Sequence, residues 1–296
     1  MRILHILDHG LPLQSGYTFR TRAILKAQQR QGWQVAAITG PRHGGCEGDF
    51  ERIDGIDFYR TDSPRKLPSP FNEINEIRSF ASRIDAVVED FQPDLLHAHS
   101  PVLDALAGLR VARRRNLPLL YEIRAFWEDA AVGNGTGREG SARYRATRAL
   151  ETWAVGRANA VAVICDGLRR DLLLRGVPGE KIMLSPNGVD LALFGAPVEQ
   201  DAELAAALGL FGAEVIGFIG SFYDYEGLDD LIAAMPRLVA ARPAAHLVLV
   251  GGGPAEAALR AQAGASPAET RSLNHPEDVP CAHAFVFCRS AWPSVC

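Results

Sequence analysis

The chain of 296 residues is long for one domain and suits two of roughly 150 residues each. With 47% apolar and 22% charged residues, its composition excludes a disordered chain, a collagen-like repeat and a disulfide scaffold. The net charge of −4 is uneven: residues 1–195 hold 26 Lys+Arg against 23 Asp+Glu, and residues 196–296 hold 5 against 12. The acidic back half speaks against nucleic acid as a partner, and the mildly basic front half is compatible with an anionic membrane surface or an acidic ligand.

No stretch approaches the roughly 18 apolar residues of a spanning helix, and the opening run at 3–7 meets Asp8 and His9, so no signal peptide is predicted and a cytoplasmic location is expected. Five cysteines without a C-x-x-C spacing are expected as reduced thiols. Residues 2–7 (RILHIL) form the first predicted strand, a Gly/Pro/Ser loop covers 10–16, a helix runs to Gly32 and a second strand covers 35–38. Ser15 is the expected N-cap of that helix, Gly32 its stop, and Ala23, Ile24 and Ala27 its buried stripe. Ile74, Ile77, Phe80, Ala81, Ile84, Val87, Val88 and Phe91 keep a helical period and predict a helix over 72–91, which feeds a strand at 95–98. Further strands at 119–123, 160–164 and 181–184 alternate with helical segments, the pattern of a parallel sheet covered on both faces.

Residues 191–208 read as a linker with a short helix, after which a new β-α-β begins: strand 215–219, helix 228–241, strand 247–250, turn 251–254 and a helix to about 263. The expected fold class is α/β with two Rossmann-like domains, 1–190 and an incomplete 191–264, whose ligands sit at the carboxyl ends of the strands. From residue 265 the periodicity fails and three cysteines fall (Cys281, Cys288 and Cys296), so 265–296 is expected to be an irregular tail, truncated or out of frame.

The candidate chemistry sits in the loops that follow strands. The turn from Gly10 to Gly16 opens onto a helix N-terminus suited to an anion or a sugar hydroxyl, although its spacing is not G-x-G-x-x-G. His97 and His99 alternate to one face at a strand end; without a carboxylate or Cys at matching spacing, they point to a structural or hydrogen-bonding role before a metal site. Pro101 fits the first position of the next helix. Arg124 beside Glu122, Glu128 and Asp129 is either a site or a surface ion-pair cluster. Asn187-Gly188 reads as a tight turn. In the back half, Gly220-Ser221 through Glu226-Gly227 and the run Gly251-Gly252-Gly253-Pro254 are two glycine-rich turns after neighbouring strands, an arrangement that suits a diphosphate. The Arg-rich segment 138–157 is a solvated helix face or a surface for anionic lipid.

The ordered segments GLPLQSG, DLLHAHSP, GVPGEKIMLSPNGVD, GFIGSFYDYEGLDDLI and LVLVGGGP resemble the retaining sugar-nucleotide-dependent glycosyltransferases of family 4, with the GT-B fold. The runs YEIRAFWEDAAV and GSFYDYEGLD are similar to the branch associated with exosortase A exopolysaccharide loci. The resemblance implies an N-terminal domain that holds a saccharide or polyprenyl-linked acceptor. It implies a C-terminal domain that holds a nucleotide-diphosphate sugar as co-substrate, and retaining transfer with no metal and no other cofactor. By the same resemblance Gly16 lies near the diphosphate and Asn187-Gly188 at the interdomain crossover; Arg124 is the candidate catalytic residue, and His99, Glu128, Gly220, Ser221, Glu226, Gly227, Gly252 and Gly253 join Gly16, Asn187 and Gly188 as candidate substrate-binding residues. Three departures accompany it. Ser221 and Glu226 replace the usual Arg-x4-Lys clamp, Arg124 stands for the sugar-facing His, and Glu269 and Glu277 match E-x7-E by chance, with Pro276 between them. The alternative reading is an inactive remnant that keeps only acceptor binding; a nicotinamide-dependent oxidoreductase is disfavoured because no G-x-G-x-x-G follows the first strand.

Overall fold

The computed structural model describes residues 1–13, 15–44, 48–69, 71–133, 135–196, 199, 201–264, 270–273 and 285–288. The chain divides into two units, Met1–Gly188 and Val189–Ser294.

The first unit begins β1 (Arg2–Leu7), α1 (Gly16–Arg30), β2 (Gln34–Thr39), then β3 (Phe50–Ile53) and β4 (Ile56–Tyr59). It continues α2 (Phe71–Phe91), β5 (Leu95–His99), α3 (Val102–Arg115), β6 (Leu119–Ile123), α4 (Trp127–Gly133), α5 (Ala142–Arg157), β7 (Ala160–Val163), α6 (Asp166–Leu174) and β8 (Ile182–Leu184). The strands form one sheet in the order β3-β4-β2-β1-β5-β6-β7-β8, parallel except for the β3-β4 hairpin. Chain direction across the sheet reverses between β1 and β5, which makes their carboxyl ends the natural crevice for a ligand. The hairpin is absent from the sequence reading although Asp54-Gly55 announces it: both residues take positive φ, 52° and 68°, the geometry of a tight two-residue turn.

Alternation along β1 splits the core. Leu4 and Ile6 pack with Ile38, Leu96, Phe80 and Ile84 on the face covered by α2 and α3. Ile3 and Leu7 pack with Val35, Ile56, Phe58 and Leu25 on the face covered by α1. The predicted stripe on α1 is corrected here: Ala23 and Ala27 are exposed, and the buried residues are Thr18, Thr21 and Leu25. The sheet beneath α1 is partly polar, so the helix docks through hydroxyls and leaves its alanines to water. Ser15 caps α1 as expected, accepting from the Thr18 N–H at 3.1 Å. Pro101 precedes α3 as its N-cap instead of opening it.

The second unit contains α7 (Leu191–Phe194), α8 (Ala202–Ala207), β9 (Glu214–Ser221), α9 (Leu228–Ala241), β10 (Ala245–Gly252), α10 (Glu256–Gly264), β11 (Thr270–Leu273) and β12 (Phe285–Cys288). Its parallel sheet runs β11-β12-β10-β9. The tail, expected to be irregular, therefore supplies two strands. FVFC is a short apolar run of the kind a parallel strand needs, and its brevity hid it among prolines and polar residues. Glu269, Glu277, Pro276, Cys281 and Cys296 lie outside the described residues.

Gly220 pairs with Gly251 and Ser221 with Gly252, which sets the two glycine-rich turns at the carboxyl ends of adjacent strands. Gly251 (φ 148°) and Gly253 (φ 156°) take conformations that favour glycine, and a Cβ on them would lie 1.8 Å from the Gly220 carbonyl and 2.6 Å from the Phe222 carbonyl. Gly252 is different: its Cβ would meet the flexible end of Glu256 at 3.2 Å. Gly251→Ala and Gly253→Ala should each destabilise the chain by on the order of 3 kcal/mol, and Gly252→Ala by less than about 1 kcal/mol, read by urea unfolding.

Candidate functional site

Beneath α1, where β1, β5 and β6 end, the sheet turns polar. Register places His5 beside His97 and His99 beside Glu122, so these four side chains share the face that α1 covers. All four are buried. Glu122 Oε1 accepts from Arg20 Nε and from Arg124 Nε, each at 3.0 Å. Arg124 also donates from Nη1 to the Tyr17 carbonyl (2.9 Å), and from Nη2 to Thr21 Oγ1 (2.9 Å) and His99 Nδ1 (2.7 Å). Its guanidinium lies 4.1 Å from the Tyr17 ring centroid. Arg20 reaches further, donating to the Ser185 carbonyl (2.7 Å), the Pro186 carbonyl (3.0 Å) and Asn187 Oδ1 (2.9 Å), and so ties the segment after β8 to α1.

These contacts fix the histidine tautomers. A guanidinium can only donate, so His99 Nδ1 accepts from Arg124 and the His99 proton is on Nε2. That proton points at His5 Nδ1, 3.0 Å away, and the proton on His5 Nε2 in turn points at Gln28 Oε1, 2.8 Å away. One directed chain runs from Arg124 through His99 and His5 to Gln28. Burial, reinforced by the charge of His97, lowers His99 to about 3; burial with His97 and His99 likewise holds His5 well below the usual imidazole value. For Glu122, burial alone would raise the carboxyl, but the groups around it outweigh burial and hold it well below the carboxylate range: the His97 and His99 rings face it, and Oε1 takes an N–H from each of Arg20 and Arg124.

The ring nitrogens of His5, His97 and His99 lie within 4.8 Å of one another, a spacing a metal could use. Such an ion would need the His99 Nε2 lone pair and would force a proton onto Nδ1, facing an Arg124 N–H at 2.7 Å. The donor set fits the hydrogen-bonded chain and does not fit a cation.

Of the residues expected in the site, His99, Arg124 and, through Arg20, Asn187 come together in the first unit. Gly16 opens α1 and is exposed, and Gly188 ends the unit. Gly220, Ser221 and Gly252 sit at paired strand ends of the second unit, where Glu226 and the αL residue Gly227 (φ 68°) lead into α9 and Gly253 packs against Phe222. Glu128 does not join Arg124. It is buried on α4 and pairs with Arg175 at 2.9 Å, beside Glu151 of α5, while Asp129 accepts from Tyr144. The helical turn after β6 carries Glu128 away from the face that Glu122 and Arg124 occupy. Arg20, His5 and Gln28 were missed; a histidine in the middle of the apolar run RILHIL was the available signal for His5, and nothing in the local sequence singles out Arg20.

A small cavity at the β1–β5 reversal is lined by Asp8, Arg42 and Asp104, among others. Burial and then the charge of Asp8 push the Asp104 carboxyl well above its usual value, and its Oδ2 has no hydrogen-bond partner.

Residues 15–188 match the family described as the glycosyl transferase 4-like domain, and residues 213–283 match glycosyl transferases group 1. The chain belongs to the glycosyl transferase 4-like family. Among curated relatives it is 25% identical over 263 residues to a GDP-mannose-dependent alpha-mannosyltransferase of Mycolicibacterium smegmatis, covering 86% of this chain and 64% of that one. It is 34% identical over 167 residues to a D-inositol 3-phosphate glycosyltransferase of Kineococcus radiotolerans, covering 54% of this chain and 37% of the relative. The chain thus spans between about a third and two thirds of these relatives. Solved structures of the same fold include sucrose-phosphate synthase from Thermosynechococcus elongatus (TM-score 0.65, 21% identity, 89% of this chain and 66% of that one). Another is HepE of Anabaena in complex with UDP and glucose (TM-score 0.64, 14% identity, 97% and 68%). No helix among the described residues is long and apolar enough to cross a membrane.

Two outcomes follow from the buried carboxyls. Glu122→Gln leaves two guanidiniums with no counter-charge and should cost about 3–5 kcal/mol in chemical unfolding. Glu151 is raised to about 7 by burial and then by the charge of Glu128. Its contribution to stability is fully present below the ordinary glutamate value of 4.5 and is lost as pH rises through about 7. Glu151→Gln should therefore flatten the fall in melting temperature between about pH 4.5 and 7.

Proposed function

We propose that this chain transfers a sugar, with retention and without a metal ion, from a nucleotide-diphosphate donor to a saccharide or polyprenyl-linked acceptor in exopolysaccharide assembly at the inner face of the membrane. The observation that carries the reading is the family match over residues 15–188 followed in order by a second glycosyl transferase match over 213–283. The first unit is the acceptor side in this reading. The second unit is the donor side, with its two glycine-rich turns at paired strand ends.

Arg124 is the proposed catalytic cation, favouring the charge that develops on the departing diphosphate. Arg20 and Arg124 both pair with Glu122, two guanidiniums to one carboxylate. A specific observation favours the inactive remnant as the second reading: the turns 220–227 and 251–256 contain no Lys or Arg and carry Asp224, Glu226 and Glu256.

Calorimetry with UDP and GDP separates the two readings. Curated relatives named for GDP-mannose and solved relatives holding UDP make both nucleotides worth testing. Heat with either supports a donor site, and none with both leaves the remnant. Because Arg124 also bridges α1 to β6, Arg124→Lys, which keeps a cation beside Glu122, is the cleaner probe than Arg124→Ala: transfer should fall by about 100-fold or more in protein that circular dichroism shows to be folded. Undiminished transfer by Arg124→Lys removes the catalytic assignment.

A further inference from the structure

We propose that the exposed face of α5 is a docking surface for an anionic phospholipid bilayer. Arg145, Arg148, Ala149, Thr152 and Trp153 line an open groove of about 580 Å³, closed on one side by Arg175 just beyond α6. Arg157 continues the row, its guanidinium 3.9 Å from the Trp153 ring centroid. Trp153 is 45% exposed, so the face combines cations with an apolar ring that water does not favour.

The charge balance selects the occupant. Glu151, the only acid on α5, is buried, and Asp171 of α6 is already paired with Arg148 at 3.3 Å and with Arg175. Arg143, Arg145 and Arg157 have no carboxylate partner among the described residues. From Arg145 to Arg157 the helix rises about 18 Å, at roughly 1.5 Å per residue. That is longer than one phosphate needs, and the cations are spread along the row instead of converging on a point. A row of cations with an indole among them matches a plane of anionic headgroups with acyl chains beneath it. The surface goes beyond the transfer reading and makes use of it, since a lipid-linked acceptor is presented at such a plane.

The test is co-sedimentation of the whole chain with phosphatidylcholine vesicles, with and without phosphatidylglycerol, at low and high salt. No nucleotide or acceptor is present, so failure here leaves the transfer reading untouched, and failed transfer leaves this one untouched. Binding is expected only with phosphatidylglycerol, weakened by salt, with a blue shift of tryptophan emission that Trp153→Phe diminishes. The double variant Arg145→Glu/Arg157→Glu should bind about tenfold or more weakly, and Arg145→Lys/Arg157→Lys should bind like the parent. Equal binding to both vesicles, no binding to either, or full binding by the charge-reversed variant overturns the proposal.

Discussion

A carboxylate buried to 2% exposure has to be neutralised where it stands, and the first unit is arranged around that requirement. Glu122 takes one guanidinium from α1 and one from its own strand end, and each guanidinium then spends its remaining N–H groups on a different neighbour. Arg124 holds the first turns of α1 through the Tyr17 carbonyl and the Thr21 hydroxyl. Arg20 holds residues 185–187. The helix that opens after the first strand is thereby fixed by directed charge-assisted bonds more than by oil. Such bonds specify position sharply, because a shift of one helical residue breaks all of them together.

β6 sends polar groups to both faces. Glu122 points under α1 among cations and stays ionised, whereas Tyr121, one residue earlier, donates to Glu151 on the α5 side at 2.6 Å. There Glu151 stands near Glu128, and the charge of one carboxylate disfavours the other. β6 therefore stands between two carboxyl groups shifted in opposite directions, its own Glu122 and Glu151 of α5. Glu122 loses its contribution to stability as pH falls below the ordinary glutamate value, and Glu151 loses its own as pH rises from that value through about 7.

The regular part of the fold was legible because it rests on apolar periodicity: the strands of the first sheet, the long helix α2 and the helix α9 fall where their spacing places them. What escaped was held by other forces. The β3-β4 hairpin depends on a two-residue turn and only short strands, and α1 buries threonines, so an apolar stripe was the wrong criterion for its inner face. In the site, Arg124 and His99 were legible as polar residues at strand ends, where a parallel sheet exposes its ligands. His5 was hidden inside an apolar run, and Arg20 is one arginine among many on an ordinary helix. Glu128 was assigned to the wrong centre because nearness in sequence stood in for nearness in space, and the start of α4 turns it away.

The glycines of the second unit show how a motif can carry two meanings. Gly251 and Gly253 are required by close approach of backbones, Gly251 to the end of β9 and Gly253 to Phe222, so their presence is explained before any ligand is considered. Gly252 has no such need: its carbonyl accepts from the Phe222 N–H, and the atom that an added Cβ would meet is the carboxylate of Glu256. A diphosphate on this turn would need positive charge that the turn does not contain. In the first unit Glu122 is met by two guanidiniums, those of Arg20 and Arg124, at the carboxyl ends of the strands. Four donor contacts of Arg124 are made within the unit, so its guanidinium is held in one orientation with little access to water. A charge fixed in this way costs no reorganisation when negative charge develops nearby, which is the condition under which a single cation contributes most to a transfer reaction.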